Sequence, residues 1–410
     1  MAKIVLVDDD ADIRRIVEMR LKLAGFQVLT AADGQAGLEL IRNERPPVVV
    51  LDLMMPRMHG FAVCQAMRSD PQLRDTYIII GSAKAYAADI KKAKELGADT
   101  YVIKPYDLEA LVDTIKQALV PPGPILKVKF WGTRGSIATS GRATFRYGGN
   151  TSCTEVRYED TVILCDCGTG AREAGLELVR EFKGQPLHVH IFIGHTHWDH
   201  IQGFPFFVPA YLPGNRVSIY SLRGSDKSLE RVFTGQMDSN YFPVDLTEMK
   251  AELQFNELEG PVQIGEVKVS HVYLNHPGVA IGFRVEAAGK SVVYVTDHEP
   301  YWRLTGDNDQ NRKLDGEIDA FAAGADLYIR EAQYTEEEYP SKRGWGHGTW
   351  KDAVNSAHQA KAARLFLYHH DPVHDDEMLD RILATCRAYM QENGMKLECA
   401  MAADGLQVIV

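Results

Sequence analysis

Four metal-capable side chains fall within six residues in His195-Thr196-His197-Trp198-Asp199-His200, directly after the β-branched, apolar run Val189-His190-Ile191-Phe192-Ile193. Residues two apart in an extended segment point the same way, so His195 and His197 can share one ion. Once the chain turns at Trp198, Asp199 and His200 are free to reach a second ion nearby. Three imidazoles and a carboxylate suit zinc, iron or manganese, whereas calcium and magnesium prefer all-oxygen sites. The spacing argues against a merely solvated histidine-rich loop. Two ions need more ligands than this cluster supplies, and those must come from the ends of other strands.

A chain of 410 residues exceeds one ordinary core and predicts two or three domains. Hydrophobic content of 45% and charged content of 25% are those of a globular protein. No apolar run reaches the roughly 18 residues of a membrane span, so no membrane association is expected. The N-terminus runs from a short strand into Asp8-Asp9-Asp10 and does not read as a signal peptide. The six cysteines (64, 153, 165, 167, 386 and 399) are scattered, which fits a reduced cytoplasm; Cys165-Asp166-Cys167 reads as buried thiols. Residues 1–120 are near neutral, so almost all of the net charge of −11 lies beyond them. An acidic body disfavours a nucleic-acid polymer as partner and leaves room for a small anion drawn in by local cations. Thirteen of the fourteen histidines also lie beyond residue 120.

Residues 1–119 alternate strand-like segments (3–7, 27–30, 48–51, 77–80 and 100–103) with amphipathic ones, as in Ile13, Ile16, Val17, Leu21 and Ala24. Five βα units predict a doubly wound parallel sheet with function at the carboxyl ends of its strands. Val120-Pro121-Pro122-Gly123-Pro124 stops the last helix, giving a linker over 120–125 and a second domain over 126–410. That second part is richer in β-type runs, with helical segments near 170–182, 316–323, 350–362 and 376–392.

In the first domain Asp8 and Asp9 follow the first strand, Asp52 the third, Ser82 the fourth and Lys104 the fifth. Three gathered carboxylates repel unless a hard cation such as Mg²⁺ neutralises them, and Asp52 can then act as a nucleophile toward a phosphoryl group. The motifs Val7-Asp8-Asp9, Asp52-Leu-Met-Met-Pro56-Arg-Met-His-Gly60, Ser82-Ala83 and Tyr101-Val-Ile-Lys104-Pro105 resemble the receiver domain of two-component response regulators. The resemblance implies a flavodoxin-like fold, phosphate acceptance by Asp52, Mg²⁺ held by Asp8 and Asp9, a phosphoryl contact from Lys104, and a switch pair of Ser82 and Tyr101. It also implies a sensor histidine kinase as partner and a homodimer. A receiver kept only for dimerisation is the competing reading.

In the second domain His276, Asp297 and His369 each follow a strand-like run, and Asp297 is placed to bridge two ions. With His-x-His-x-Asp-His they resemble the metallo-β-lactamase superfamily over roughly residues 125–410, which implies an αββα sandwich. The resemblance gives one ion His195, His197 and His276, the other Asp199, His200 and His369, and makes Asp297 the bridge. His370 is an alternative to His369, and Asp166 matches a supporting acidic position. Phe130-Trp-Gly-Thr-Arg134-Gly-Ser136, Tyr147-Gly-Gly-Asn150-Thr-Ser-Cys153 and Gly346-His347-Gly-Thr-Trp350 resemble the branch with cyclic-nucleotide phosphodiesterases and RNase Z. Arg330-Glu331-Ala332-Gln333 resembles RNase Z's His-Glu-Ala-Thr, with Arg330 in place of its histidine.

An alkoxide leaving group needs a general acid, and histidine suits that role. His347 is the expected acid, oriented and kept protonated by Glu331; Asp199 would also orient the attacking hydroxide. Arg134, Ser136 and Asn150 are candidate phosphate or sugar contacts. The expected protein is a cytoplasmic response regulator whose output is phosphodiester hydrolysis with two Zn, Mn or Fe ions, acting on a cyclic nucleotide or dinucleotide. An RNase Z-like nuclease, a lactonase or thioesterase, and a non-enzymatic scaffold are the alternatives.

Overall fold

The computed structural model describes residues 2–82, 87–119, 125–222 and 228–410; for 87–90 and 117 only the backbone is described. The proline linker expected over 120–125 lies, but for Ile125, outside the described residues. The chain divides into two compact units, Met1–Gly123 and Pro124–Val410.

The first unit is a five-stranded parallel sheet in the order Gln27–Ala31, Lys3–Val7, Val48–Asp52, Tyr77–Ser82, Thr100–Ile103. Alternation along the first strand sends Val5 and Val7 into one core and Ile4 and Leu6 into the other. Helices Gly34–Glu44 and Gly60–Ser69 cover the first face; Ala11–Leu23 and Leu108–Leu119 cover the second. Ile4, Val5, Leu6 and Val7 expose no surface. Burying each such side chain contributes roughly 1.5–3 kcal/mol, which is why both faces need helices. The third and fourth strands run slightly further than their apolar residues predict, so Asp52 and Ser82 are the last strand residues rather than loop residues.

The second unit stacks two seven-stranded mixed sheets between helical layers. One sheet centres on His188–Phe192 and Thr161–Cys165, the other on Lys290–Val295 and Leu327–Glu331. Phe130, Ile163 and Phe192 meet Phe283, Tyr294, Ile329 and Tyr368 between the sheets. On the outer faces, Val189 and Ile191 pack with helix Gly170–Phe182, while Tyr328 and Leu365 pack with helices Asp309–Phe321, Trp350–Gln359 and Asp376–Glu392. The αββα layering expected from the resemblance is therefore present. The helix expected from residue 316 starts seven residues earlier, capped by Asn308, whose side chain accepts the Asn311 N–H. Its polar first turn hides it from a search for apolar periodicity. All six cysteines are free and buried. Among the described residues no helix is long and apolar enough to cross a membrane.

Candidate metal centre

Four strands of the second unit end at one point, and each delivers a polar side chain there. His195 follows His188–Phe192, and the one-turn helix Trp198–Ile201 carries Asp199 and His200. His276 follows Val267–Leu274, Asp297 follows Lys290–Val295, and His369 follows Arg364–Tyr368. Asp166, Asp297 and His369 all adopt left-handed backbone, φ +64°, +54° and +58°. Such strain in non-glycine residues persists where surrounding contacts over-determine it, and it turns each side chain into the centre.

Asp297 is divided between two groups of imidazoles. Its Oδ1 lies 3.8 Å from His195 Nε2, 3.9 Å from His276 Nε2 and 3.7 Å from His347 Nδ1. Its Oδ2 lies 3.2 Å from His200 Nε2 and 3.5 Å from His369 Nε2. Asp199 Oδ2 is 3.3 Å from His200 Nε2 and 3.2 Å from His369 Nε2. The ligand atoms of His195, His197 and His276 lie within 4.8 Å of one another, as do those of Asp199, His200, Asp297 and His369. The structure thus brings together the residues named from the sequence, and it also groups His276, Asp297 and His347.

The arrangement fits two cations. His195 Nε2, His200 Nε2 and Asp297 Oδ2 are buried without a hydrogen-bond partner, a costly state that a shared cation relieves. Burial and the neighbouring imidazoles push His195 down, leaving its nitrogen lone pair for a metal. Burial opposes charge on His200, yet Asp297, Asp199 and Asp166 outweigh it and raise that imidazole. The same carboxylates would serve a metal in place of the proton. Outer partners then fix the rings. Asp166 Oδ2 lies 2.7 Å from His200 Nδ1 and also accepts Tyr294 O–H, while its Oδ1 accepts Gly194 N–H. His276 Nδ1 meets Gly346 O at 2.9 Å, and His369 Nδ1 meets Gln333 Oε1 at 2.9 Å. Gly346, at φ +90°, must be glycine, because a Cβ there would sit 2.2 Å from His276 Nδ1. Ser136 N–H donates to Asp199 Oδ2 at 2.7 Å.

Three expectations change. Arg134 is fully buried, and its guanidinium donates to the carbonyls of Gly148, Asp371 and His374, so it clamps loops and offers no substrate contact. Asn150 is spent on Thr169 and, through its N–H, on Asp404; Ser136 alone of the three stays exposed beside the centre. Glu331 makes no hydrogen bond or ion pair with His347: its carboxylate accepts Gly348 N–H at 2.6 Å and Gln333 N–H at 3.2 Å, holding the loop that carries His347. Burial pushes His347 down to about 3 and lifts Glu331 to about 7, so the pair is not the imidazolium–carboxylate expected. His370, the alternative ligand, points to Ala402 O and stands outside the cluster. Sequence reasoning assigned no role to Gln333 or the Ser136 N–H, because both act only through contacts between distant segments.

In the first unit Lys104 Nζ lies 2.7 Å from Asp8 Oδ2 and 3.1 Å from Asp52 Oδ2. Asp8, Asp9 and Asp52 offer oxygens within 4.8 Å of one another, and Asp9 is the exposed member. Burial raises the Asp52 carboxyl, and Lys104 partly offsets it. Ser82 is buried and Tyr101 half-buried on adjacent strands.

Residues 4–116 match the family model described as response regulator receiver domain, and residues 161–370 match that of the beta-lactamase superfamily domain. The probable transcriptional regulator ycf27 of Porphyridium aerugineum is 43% identical over 117 residues, 28% of this chain and 48% of its own length. The chain thus spans about half the length of the curated relatives it matches. The metallo-beta-lactamase fold protein YhfI from Bacillus subtilis aligns with 70% of this chain and 100% of its own, at 19% identity and TM-score 0.49. Human tRNase Z, short form, aligns with 69% of this chain and 98% of its own, at 21% identity and TM-score 0.46.

Proposed function

Given that the chain belongs to the beta-lactamase superfamily and carries a response regulator receiver domain ahead of that domain, we propose that it is a response regulator whose output is metal-dependent hydrolysis of a small anionic phosphodiester, a cyclic nucleotide or cyclic dinucleotide. The observation that carries this reading is the Asp297 carboxylate, shared between His195 and His276 on one side and His200 and His369 on the other. His195, His197 and His276 would hold one divalent ion of zinc, manganese or iron, and Asp199, His200 and His369 a second, with Asp297 between. Two such ions lower the pKa of bound water towards about 7 and offset charge on phosphoryl oxygens.

The chain's own groups do the rest. Asp199, held by the Ser136 N–H and His369, orients the nucleophile. The exposed Ser136 hydroxyl would donate to a substrate oxygen. His347 turns Nδ1 into the centre, from which it would pass a proton to the leaving alkoxide. In the protein alone, burial holds that ring neutral; a diester's negative charge acts in the opposite direction and favours the imidazolium. Glu331 positions the His347 loop through Gly348 N–H.

In the receiver, Asp52 would accept phosphate from a sensor histidine kinase in the cytoplasm, Asp8 and Asp9 would bind Mg²⁺, and Ser82 and Tyr101 would answer the new charge. The added charge of about −2 would control turnover, through a homodimer interface or access to the centre.

The test is turnover by manganese- and zinc-loaded protein, with and without acetyl phosphate, on cyclic mono- and dinucleotides, linear diesters, tRNA precursors and lactones. Cleavage of a cyclic nucleotide or dinucleotide, changed by acetyl phosphate and unresponsive in Asp52→Asn, is expected. His347→Ala should slow an unactivated diester by roughly 10²–10⁴ while sparing bis-p-nitrophenyl phosphate, whose leaving group needs no acid. Equal losses on both substrates would remove His347 from the acid role, and turnover of lactones alone would overturn the reading.

A further inference from the structure

A cavity lies on the helical side of the sheet that contains Lys290–Val295 and Leu327–Glu331. Strand Leu327–Glu331 alternates, so Tyr328 faces the helices and Ile329 the space between the sheets. Arg330 therefore shares the helix-facing side with Tyr328. It is 3% exposed, and no hydrogen bond or ion pair to its guanidinium exists among the described residues; Nε and Nη1 are buried and unpartnered. An unpaired buried cation is among the costliest groups a fold can carry. It lines a cavity of about 400 Å³ between helices Asp309–Phe321 and Trp350–Gln359, at the smaller end of ligand pockets.

The acids that line the cavity make their ion pairs and hydrogen bonds with other groups and keep acceptor capacity facing the cavity. Asp315 accepts the N–H groups of Tyr301 and Trp302, Asp319 accepts Ser356 O–H, and Asp352 is paired with Arg303. Gly316 also lines the cavity in mid-helix, where a Cβ would meet nothing within 4 Å. Glycine there costs helix stability and keeps the space open.

The geometry points to a ligand site, separate from the metal centre, for a small molecule that presents one oxyanion, carboxylate or phosphate, to Arg330 and N–H or O–H donors to the acids around it. The acids select against polyanions. The site also touches the metal centre's supports, since His298 follows Asp297, Arg330 precedes Glu331, and Asp352 accepts the N–H of Thr349, two residues after His347. It stands whether or not the centre hydrolyses phosphodiesters.

Calorimetric titration of the full-length, metal-loaded protein with inorganic phosphate and with glycine, which carries one carboxylate and N–H donors, tests it. At least one probe should bind saturably at millimolar concentration or below, and the preferred probe identifies the oxyanion. That binding should weaken at least tenfold in Arg330→Met and in Gly316→Leu, which fills the cavity from a helix position that tolerates a side chain. Arg330→Met should melt no lower than wild type, because it removes an unpaired buried charge. Undiminished binding in both variants would place the probe at the metal centre and overturn the proposal. Failure of both probes to bind would overturn it equally.

Discussion

Asp297, Asp166 and Asp404 are three buried or half-buried aspartates with different tasks, set by what faces their oxygens. Asp297 meets imidazole nitrogens on both oxygens, and they outweigh the burial that would raise it, holding it well below the usual carboxylate range. Asp166 has its oxygens filled by Gly194 N–H, Tyr294 O–H and the His200 ring, so its task is to orient that ring. Asp404 accepts Asn150 N–H and Thr133 O–H, but burial outweighs them and raises it to about 6. Because that folded value lies above the unfolded one of 3.8, its stabilising contribution is complete below pH ~4 and is lost as pH rises through ~6. Asp404→Asn should flatten this dependence, which spans up to about 2 kcal/mol, in denaturant titrations at pH 4.5 and 7. An unchanged slope would mean that Asp404 stays charged throughout.

At the scale of elements, function sits where strands stop. Buried strands such as Lys290–Val295 end in apolar residues, and within the next one to three residues the chain turns a polar group, here Asp297, into the centre. The helix Trp350–Gln359 contributes through its start: Thr349 accepts Asp352 N–H while Asp352 accepts Thr349 N–H, pinning the loop Gly346–Gly348 and with it His347. Helix Asp309–Phe321 keeps Gly316 in its interior with open space beside it. Gly316→Ala should therefore raise unfolding free energy by roughly 0.5–1 kcal/mol, read as a higher denaturant midpoint at unchanged slope. A lower midpoint would show that the helix needs glycine for its backbone.

At the scale of the molecule, two units with separate cores need not unfold together. Calorimetry should resolve two transitions, and Mg²⁺ should raise only the receiver's, since its Asp8, Asp9 and Asp52 oxygens suit that ion and the histidine-rich centre does not. Asp9→Asn should abolish the shift. A Mg²⁺ effect on both transitions, or one surviving in Asp9→Asn, would contradict the assignment.

The amino-acid sequence by itself marked most of the elements and the residues that meet around Asp297. Alternating runs marked the five-stranded sheet, and short motifs at strand ends named the residues that the structure gathers around Asp297, though not the part Gln333 plays in holding His369. Both signals are local: strand periodicity and the spacing within His195–His200 are properties of neighbouring residues. The helix start at Asp309 escaped because its first turn is polar. Only the tertiary structure decided that Arg134 is a buried clamp, that Glu331 holds a loop instead of an imidazole, and that Arg330 faces a separate cavity. Those outcomes depend on which distant carbonyl, N–H or empty space packing brings beside a side chain, and no spacing along the chain encodes that.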